Sequence, residues 1–210
     1  MPMTVILGWA SILQQENDDD VRPAAAVAIE QSARAQARLV EDLLDLSRLT
    51  LGKLHLEMVP IGLTTTVQQA VAMIRPQAEG KHIVVNVTLP PNPCVIRGDA
   101  LRVQQICWNL LSNAVKFTPD GGRVDVVLSS TDHQAEINIT DNGEGISSDI
   151  LPRIFEPFRQ GNGATAKGGL GLGLAIVREL VTVHHGDVEA HSDGVGKGAR
   201  FVVRLPAIGD

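Results

Sequence analysis

Residues 104–118 read QQICWNLLSNAVKFT, and their spacing predicts an amphipathic helix. Asn109, Asn113 and Lys116 stand four and three apart, so on a helix they share one face. Ile106, Leu110, Leu111, Ala114 and Val115 supply the apolar side that holds such a helix against a core. An amide oxygen can ligate Mg²⁺ and a lysine can neutralise phosphate, so the polar stripe suits a metal–nucleotide. Taken alone, the helix is explained more simply by a solvated polar face.

Three later segments change that balance: DNGEGI at 141–146, GGLGLGLAIV at 168–177 and GKGARF at 196–201. Together with IFEPFRQ at 154–160 and LVEDLLDLSRL at 39–49, their order and spacing resemble the catalytic region of sensor histidine kinases. That family belongs to a superfamily shared with gyrase-type ATPases, Hsp90-like chaperones and MutL. The resemblance covers nearly the whole chain. It implies an α+β protein with two parts. Residues 1–52 would be a partial dimerisation and phosphotransfer hairpin. Residues 53–210 would be an ATP-binding two-layer α/β sandwich of the Bergerat type, with a mixed five-stranded sheet under three helices.

On that resemblance Asn113 binds Mg²⁺ through its amide oxygen and Lys116 faces the phosphates of ATP. Asn109 occupies a position where the hydrolysing branch of the superfamily places a glutamate to activate water. An amide has no useful basicity, so Asn109 favours phosphoryl transfer over hydrolysis. Asp141 is the expected adenine reader, because a buried carboxylate accepts from an exocyclic amine and rejects guanine. Gly143 and Gly145 let backbone approach the base, although a β-turn also explains Asn142-Gly143. Gly169, Gly171 and Gly173 open a helix and would offer backbone N–H groups to phosphate. Leu170 and Leu172 lie within that cofactor-binding segment and are expected to pack. Phe155 and Phe158 match the family's lid anchors, and either Arg159 or Lys167 is placed to reach the γ-phosphate. Ala199 stands where a Thr or Ser is usual, which removes one hydroxyl near the adenine end. The lid, residues 147–167, is expected to be mobile without nucleotide.

Composition agrees with this outline. The chain has 210 residues, 44% hydrophobic but only 3% aromatic, so its core must be aliphatic. A net charge of −6 argues against a nucleic-acid surface. No apolar run approaches the ~20 residues of a membrane span, so no membrane contact by this segment is expected. Cys94 and Cys107 are isolated, which disfavours a disulfide framework or zinc site. A cytoplasmic location follows, compatible with a membrane-anchored parent.

Periodicity predicts helices over 3–15 and 21–50, the second ended by Gly52, with residues 17–20 (NDDD) between them. Ile29, Ala33, Val40, Leu43, Leu44 and Leu46 are expected on the buried side of the second. Strands are expected at 53–59, 83–89, 95–97, 123–129, 135–140, 187–191 and 200–205. A helix over 63–77 should stop at Pro76, and Asp99 should cap the Asn helix. A helix over 171–184 should close with His184 and His185 as cations and Gly186 at C′. The first helix has roughly half the residues of the second, and PMTVILGW resembles the tail of the family's acceptor motif. The phosphoacceptor histidine would then fall before residue 1, so no catalytic residue is assigned. The resemblance further implies a homodimer through the hairpin and a response-regulator receiver domain as partner. The alternatives are a hydrolysing ATPase of the superfamily and a non-catalytic interaction module.

Overall fold

A computed structural model describes residues 2–15, 21–51, 54–131, 133–159 and 171–208. It divides into two compact units, residues 1–47 and 48–210. The first contains helix α1 (Pro2–Gln15) and most of helix α2 (Val21–Thr50). Helix α2 is sixteen residues longer, roughly 24 Å at 1.5 Å per residue. Contrary to expectation, Val40, Leu43 and Leu44 are half exposed and Ala33 is exposed. The physical reason is that one 14-residue helix has too little apolar surface to cover a 30-residue one. Residues 16–20 and Gly52-Lys53 lie outside the described residues, and with them the NDDD run and the glycine stop. Among the described residues no helix is long and apolar enough to cross a membrane.

The second unit is α+β. A small antiparallel sheet pairs β1 (Val59–Gly62) with β3 (Val95–Gly98). Residues 54–58 are irregular, so the alternation of KLHLEMV does not produce the expected strand. The pairing with β3 begins only at Val59↔Gly98, and backbone groups upstream find other partners, such as Asp99 Oδ2, which accepts from Glu57 N. The main sheet has the order β2-β4-β5-β7-β6. Its strands are β2 (Val84–Thr88), β4 (Arg123–Ser130), β5 (Gln134–Asp141), β6 (Asp187–His191) and β7 (Ala199–Pro206). Only β2 and β4 are parallel, which makes the sheet mixed.

Period-2 alternation gives this sheet two unlike faces. Val124, Val126, Leu128, Ile137, Ile139 and Val203 point to a core built with three helices. These are α3 (Leu63–Glu79), α4 (Ala100–Phe117) and α5 (Gly173–Val183). Ile74, Ile106, Leu110, Leu111, Ile176 and Leu180 are fully buried between the layers. The outer face is polar. There Arg204 pairs with Glu136 at 2.9 Å and Glu189 at 3.0 Å. Hydrogen bonds from Asn138 and Arg204 hold the Glu136 carboxyl below its ordinary range, and Arg204 does the same for Glu189.

Two helix ends differ from the sequence reading. Helix α3 runs through Pro76 to Glu79. Ala72 and Pro76 are exposed, so the carbonyl that proline cannot satisfy is left to water. At the end of α5 the left-handed residue is His185 (φ 59), not Gly186. His184 is buried: its Nδ1 lies 2.7 Å from Leu180 O, and its Nε2 accepts from Asp99 N at 3.1 Å. An accepting Nε2 leaves the proton on Nδ1, so His184 is a neutral structural link and not a terminal cation.

Candidate functional site

Helix α4 starts where the sequence puts it. Asp99 Oδ1 accepts from Leu101 N at 3.0 Å and from Arg102 N at 3.2 Å, a side-chain N-cap. Val103, Ile106, Cys107, Leu110, Leu111, Ala114 and Val115 bury one side of the helix. Asn109, Asn113 and Lys116 are left half-buried on the other side. At the far end Lys81, from the turn after α3, donates to the carbonyls of Val115 (2.7 Å), Lys116 (3.3 Å) and Thr118. A lysine among the orphan carbonyls also opposes the negative end of the helix dipole. Nothing in the sequence pattern marked Lys81 for this task, because its partners lie 34 to 37 residues away.

Asp141 ends β5 and is 8% exposed. Its Oδ1 accepts from Gly143 N at 2.8 Å and Ala199 N at 3.3 Å. Burial pushes this carboxyl above its ordinary range, and the two N–H donors pull the other way. The contact with Gly143 N is the turn that the Asp-Asn-Gly sequence suggests. Asn142 is spent on structure, its Oδ1 accepting from Arg123 N at 2.7 Å. Among the described residues Oδ2 of Asp141 has no partner and remains available to a ligand. Gly143 is required by close approach, because a Cβ there would sit 2.5 Å from Phe117 O. Gly145 is required by a φ of +69°. Glu144 N donates to Phe117 O at 3.1 Å and so joins this loop to the end of α4.

The start of α5 meets α4 directly: Asn109 Nδ2 donates to Gly173 O at 3.4 Å. Gly171 accepts from Phe158 N at 3.1 Å. Leu172 is fully buried and serves the core. Gly169, Leu170 and Lys167 lie outside the described residues. Of the two aromatics expected as lid anchors, Phe155 packs edge-on against Phe201 with centroids 6.4 Å apart. Phe158 is 62% exposed and has a φ of 62°, a backbone turn that leaves its ring in solvent; it is not an anchor here. Arg159 Nε lies 2.9 Å from Glu156 Oε2, so that guanidinium already holds a carboxylate. Lys116 Nζ stands 4.8 Å from the Phe117 ring centroid.

The donor set tests the fit of a metal. Among the described residues no group of three or more His, Cys, Asp or Glu could hold an ion. A half-buried amide, Asn113, beside a lysine suits a cation that keeps its waters and takes most ligands from phosphate, the habit of Mg²⁺.

The "Histidine kinase-, DNA gyrase B-, and HSP90-like ATPase" family model matches residues 98–208. The "His Kinase A (phospho-acceptor) domain" model matches residues 1–52. The chain belongs to the sensor histidine kinases. Hybrid signal transduction histidine kinase D of Dictyostelium discoideum is 37% identical over 214 residues, covering 98% of this kinase chain and 14% of the relative. Signal transduction histidine-protein kinase BarA of Escherichia coli K12 is 33% identical, over 95% of this chain and 22% of the relative. Among solved structures, full-length ShkA in complex with AMPPNP aligns over 100% of this kinase chain and 44% of its own, at a TM-score of 0.78 and 30% identity. The mycobacterial sensor histidine kinase MprB aligns over 72% of this chain and 100% of its own, at a TM-score of 0.66 and 30% identity. Such likeness accords with the α+β fold and mixed five-stranded sheet described above. This kinase chain spans 10% to 35% of the length of the curated relatives it matches.

Proposed function

We propose that residues 53–210 form a catalytic domain that binds Mg–ATP and transfers its γ-phosphoryl group to a histidine of the family's phospho-acceptor hairpin. An aspartate of a response-regulator receiver domain would take the phosphoryl group in turn. Asp141 carries the reading. It is a buried carboxylate with one oxygen committed to backbone N–H groups and the other uncommitted among the described residues. Such an oxygen accepts the exocyclic N–H of adenine and repels the carbonyl of guanine.

Each remaining residue then has a task. Gly143 and Gly145 keep side chains away from the base. Gly171 and Gly173, with Gly169 before them, offer N–H groups at the start of α5 to the phosphates. Lys116 neutralises phosphate charge, and Asn113 supplies an amide oxygen to Mg²⁺. When bound, the metal would supply charge neutralisation to the phosphates. Asn109 cannot take a proton from water, so the terminal phosphoryl group is kept for transfer. In that step the P–O bond to ADP breaks as a P–N bond to imidazole forms, and the protein supplies positioning and charge.

The half-exposed Val40, Leu43 and Leu44 support a homodimer in which a second copy covers them. Use of ATP as the phosphoryl donor favours a cytoplasmic location. The six histidines of this sequence are His55, His82, His133, His184, His185 and His191. None lies in residues 1–52, so a polypeptide of these 210 residues is expected not to phosphorylate itself. Incubation with γ-labelled ATP tests this reading. Acid-labile label should appear only on an added hairpin fragment that carries the family's histidine. Alkali-stable label on the 210-residue polypeptide, or no label on the added fragment, would overturn it.

A further inference from the structure

Ser192 directly follows β6, and its hydroxyl is fully used. It donates to Gly198 O at 2.6 Å and accepts from Ile146 N at 2.9 Å. Gly194 N approaches the same oxygen at 3.4 Å. One hydroxyl therefore ties the far end of the loop at 141–146 to the turn that enters β7. The two loops also meet through Gly196 N donating to Glu144 O at 2.6 Å and Gly198 N donating to Gly143 O at 3.1 Å.

The peptide between Gly198 and Ala199 makes this more than a local staple. Its carbonyl is held by Ser192 Oγ, and its N–H donates to Asp141 Oδ1 at 3.3 Å. A peptide unit is planar and rigid, so fixing its carbonyl fixes the direction of its N–H. That N–H is one of the two donors that orient the Asp141 carboxylate and so aim its other oxygen. Ser192 is half-buried and lies outside the DNGEGI and GKGARF motifs that its hydroxyl joins.

We propose that Ser192 is a positioning residue for base recognition, acting through the Gly198–Ala199 peptide on Asp141. The inference rests on Asp141 being the adenine reader. Ser192 acts on base binding and not directly on phosphate binding, because the phosphate-facing groups on α4 and at the start of α5 make none of the hydrogen bonds to Ser192 or to the Gly198–Ala199 peptide.

Calorimetry of the 210-residue chain with Mg–ATP, Mg–GTP and Mg–tripolyphosphate tests it, using wild type, Ser192→Ala and Ser192→Thr. Ser192→Ala should weaken ATP binding about three- to tenfold, the equivalent of one neutral hydrogen bond. The preference for ATP over GTP should narrow, with tripolyphosphate affinity unchanged. Ser192→Thr keeps the hydroxyl and should recover most of the ATP affinity. Parallel loss of tripolyphosphate binding, or no recovery with threonine, would show a merely structural role and overturn the proposal. Equal ATP affinity in wild type and Ser192→Ala would overturn it while leaving the reading of Asp141 intact. Wild type that binds tripolyphosphate but not ATP would overturn that reading as well.

Discussion

The backbone N–H of Asp99 donates to Nε2 of His184 across 3.1 Å, joining the first turn of α4 to the last turn of α5 over 85 residues of chain. Gly98 makes room for the ring: a Cβ there would lie 2.9 Å from His184 Cδ2. His184→Ala should destabilise the domain by about 2–4 kcal/mol, since it opens a cavity and orphans a buried donor. Gly98→Ala should cost about 1–3 kcal/mol through overpacking. Urea titration of the double variant decides whether the two effects share one contact. Its total cost should match His184→Ala alone, and additive costs would contradict the relationship.

Asp141 should show a conflict between function and stability. Burial raises its carboxyl pKa in the folded state. Between the unfolded and folded values the folded chain binds more protons, so this group's contribution to stability falls as pH rises through that window. Asp141→Asn is neutral at every pH and can still accept from Gly143 N and Ala199 N. Its melting temperature at pH 7 should equal or exceed that of wild type, while ATP affinity falls by roughly tenfold or more. A variant several degrees less stable at pH 7 would show that the buried charge is not a burden.

Much of this could be read from residues close together in sequence. The 3.6-residue period of 104–118 and the capping Asp99 are local facts, and α4 follows them. The glycines around Asp141 are local too. What could not be read depends on chain brought in from afar. Lys81 is an unremarkable lysine in a turn until the end of α4 is packed beside it. His184 looks like a terminal cation until Gly98 and Asp99 enclose it. Pro76 looks like a stop, yet the face of α3 that it occupies is open to water. Likewise Val40, Leu43 and Leu44 carry a core-like pattern, but the core they need is not supplied by α1.

The thiols should be silent. Cys107 is completely buried in α4, and burial pushes its thiol up to about 12. Cys94 is buried as well. At pH 8 neither should react with a thiol reagent on the time scale of an exposed cysteine, and both should react on unfolding in guanidinium. Rapid labelling of Cys107 in the native chain would show that α4 opens far more readily than its packing allows.

Calorimetric titration with Mg–ATP probes the proposed adenine site and its proposed metal–phosphate end on α4 together. Wild type should bind ATP in preference to GTP, and chelating Mg²⁺ should weaken ATP binding by roughly tenfold or more. Asp141→Asn should lose the base preference, and Asn113→Ala should lose the dependence on Mg²⁺. Unchanged ATP affinity in both variants, or no ATP binding by wild type, would contradict the account.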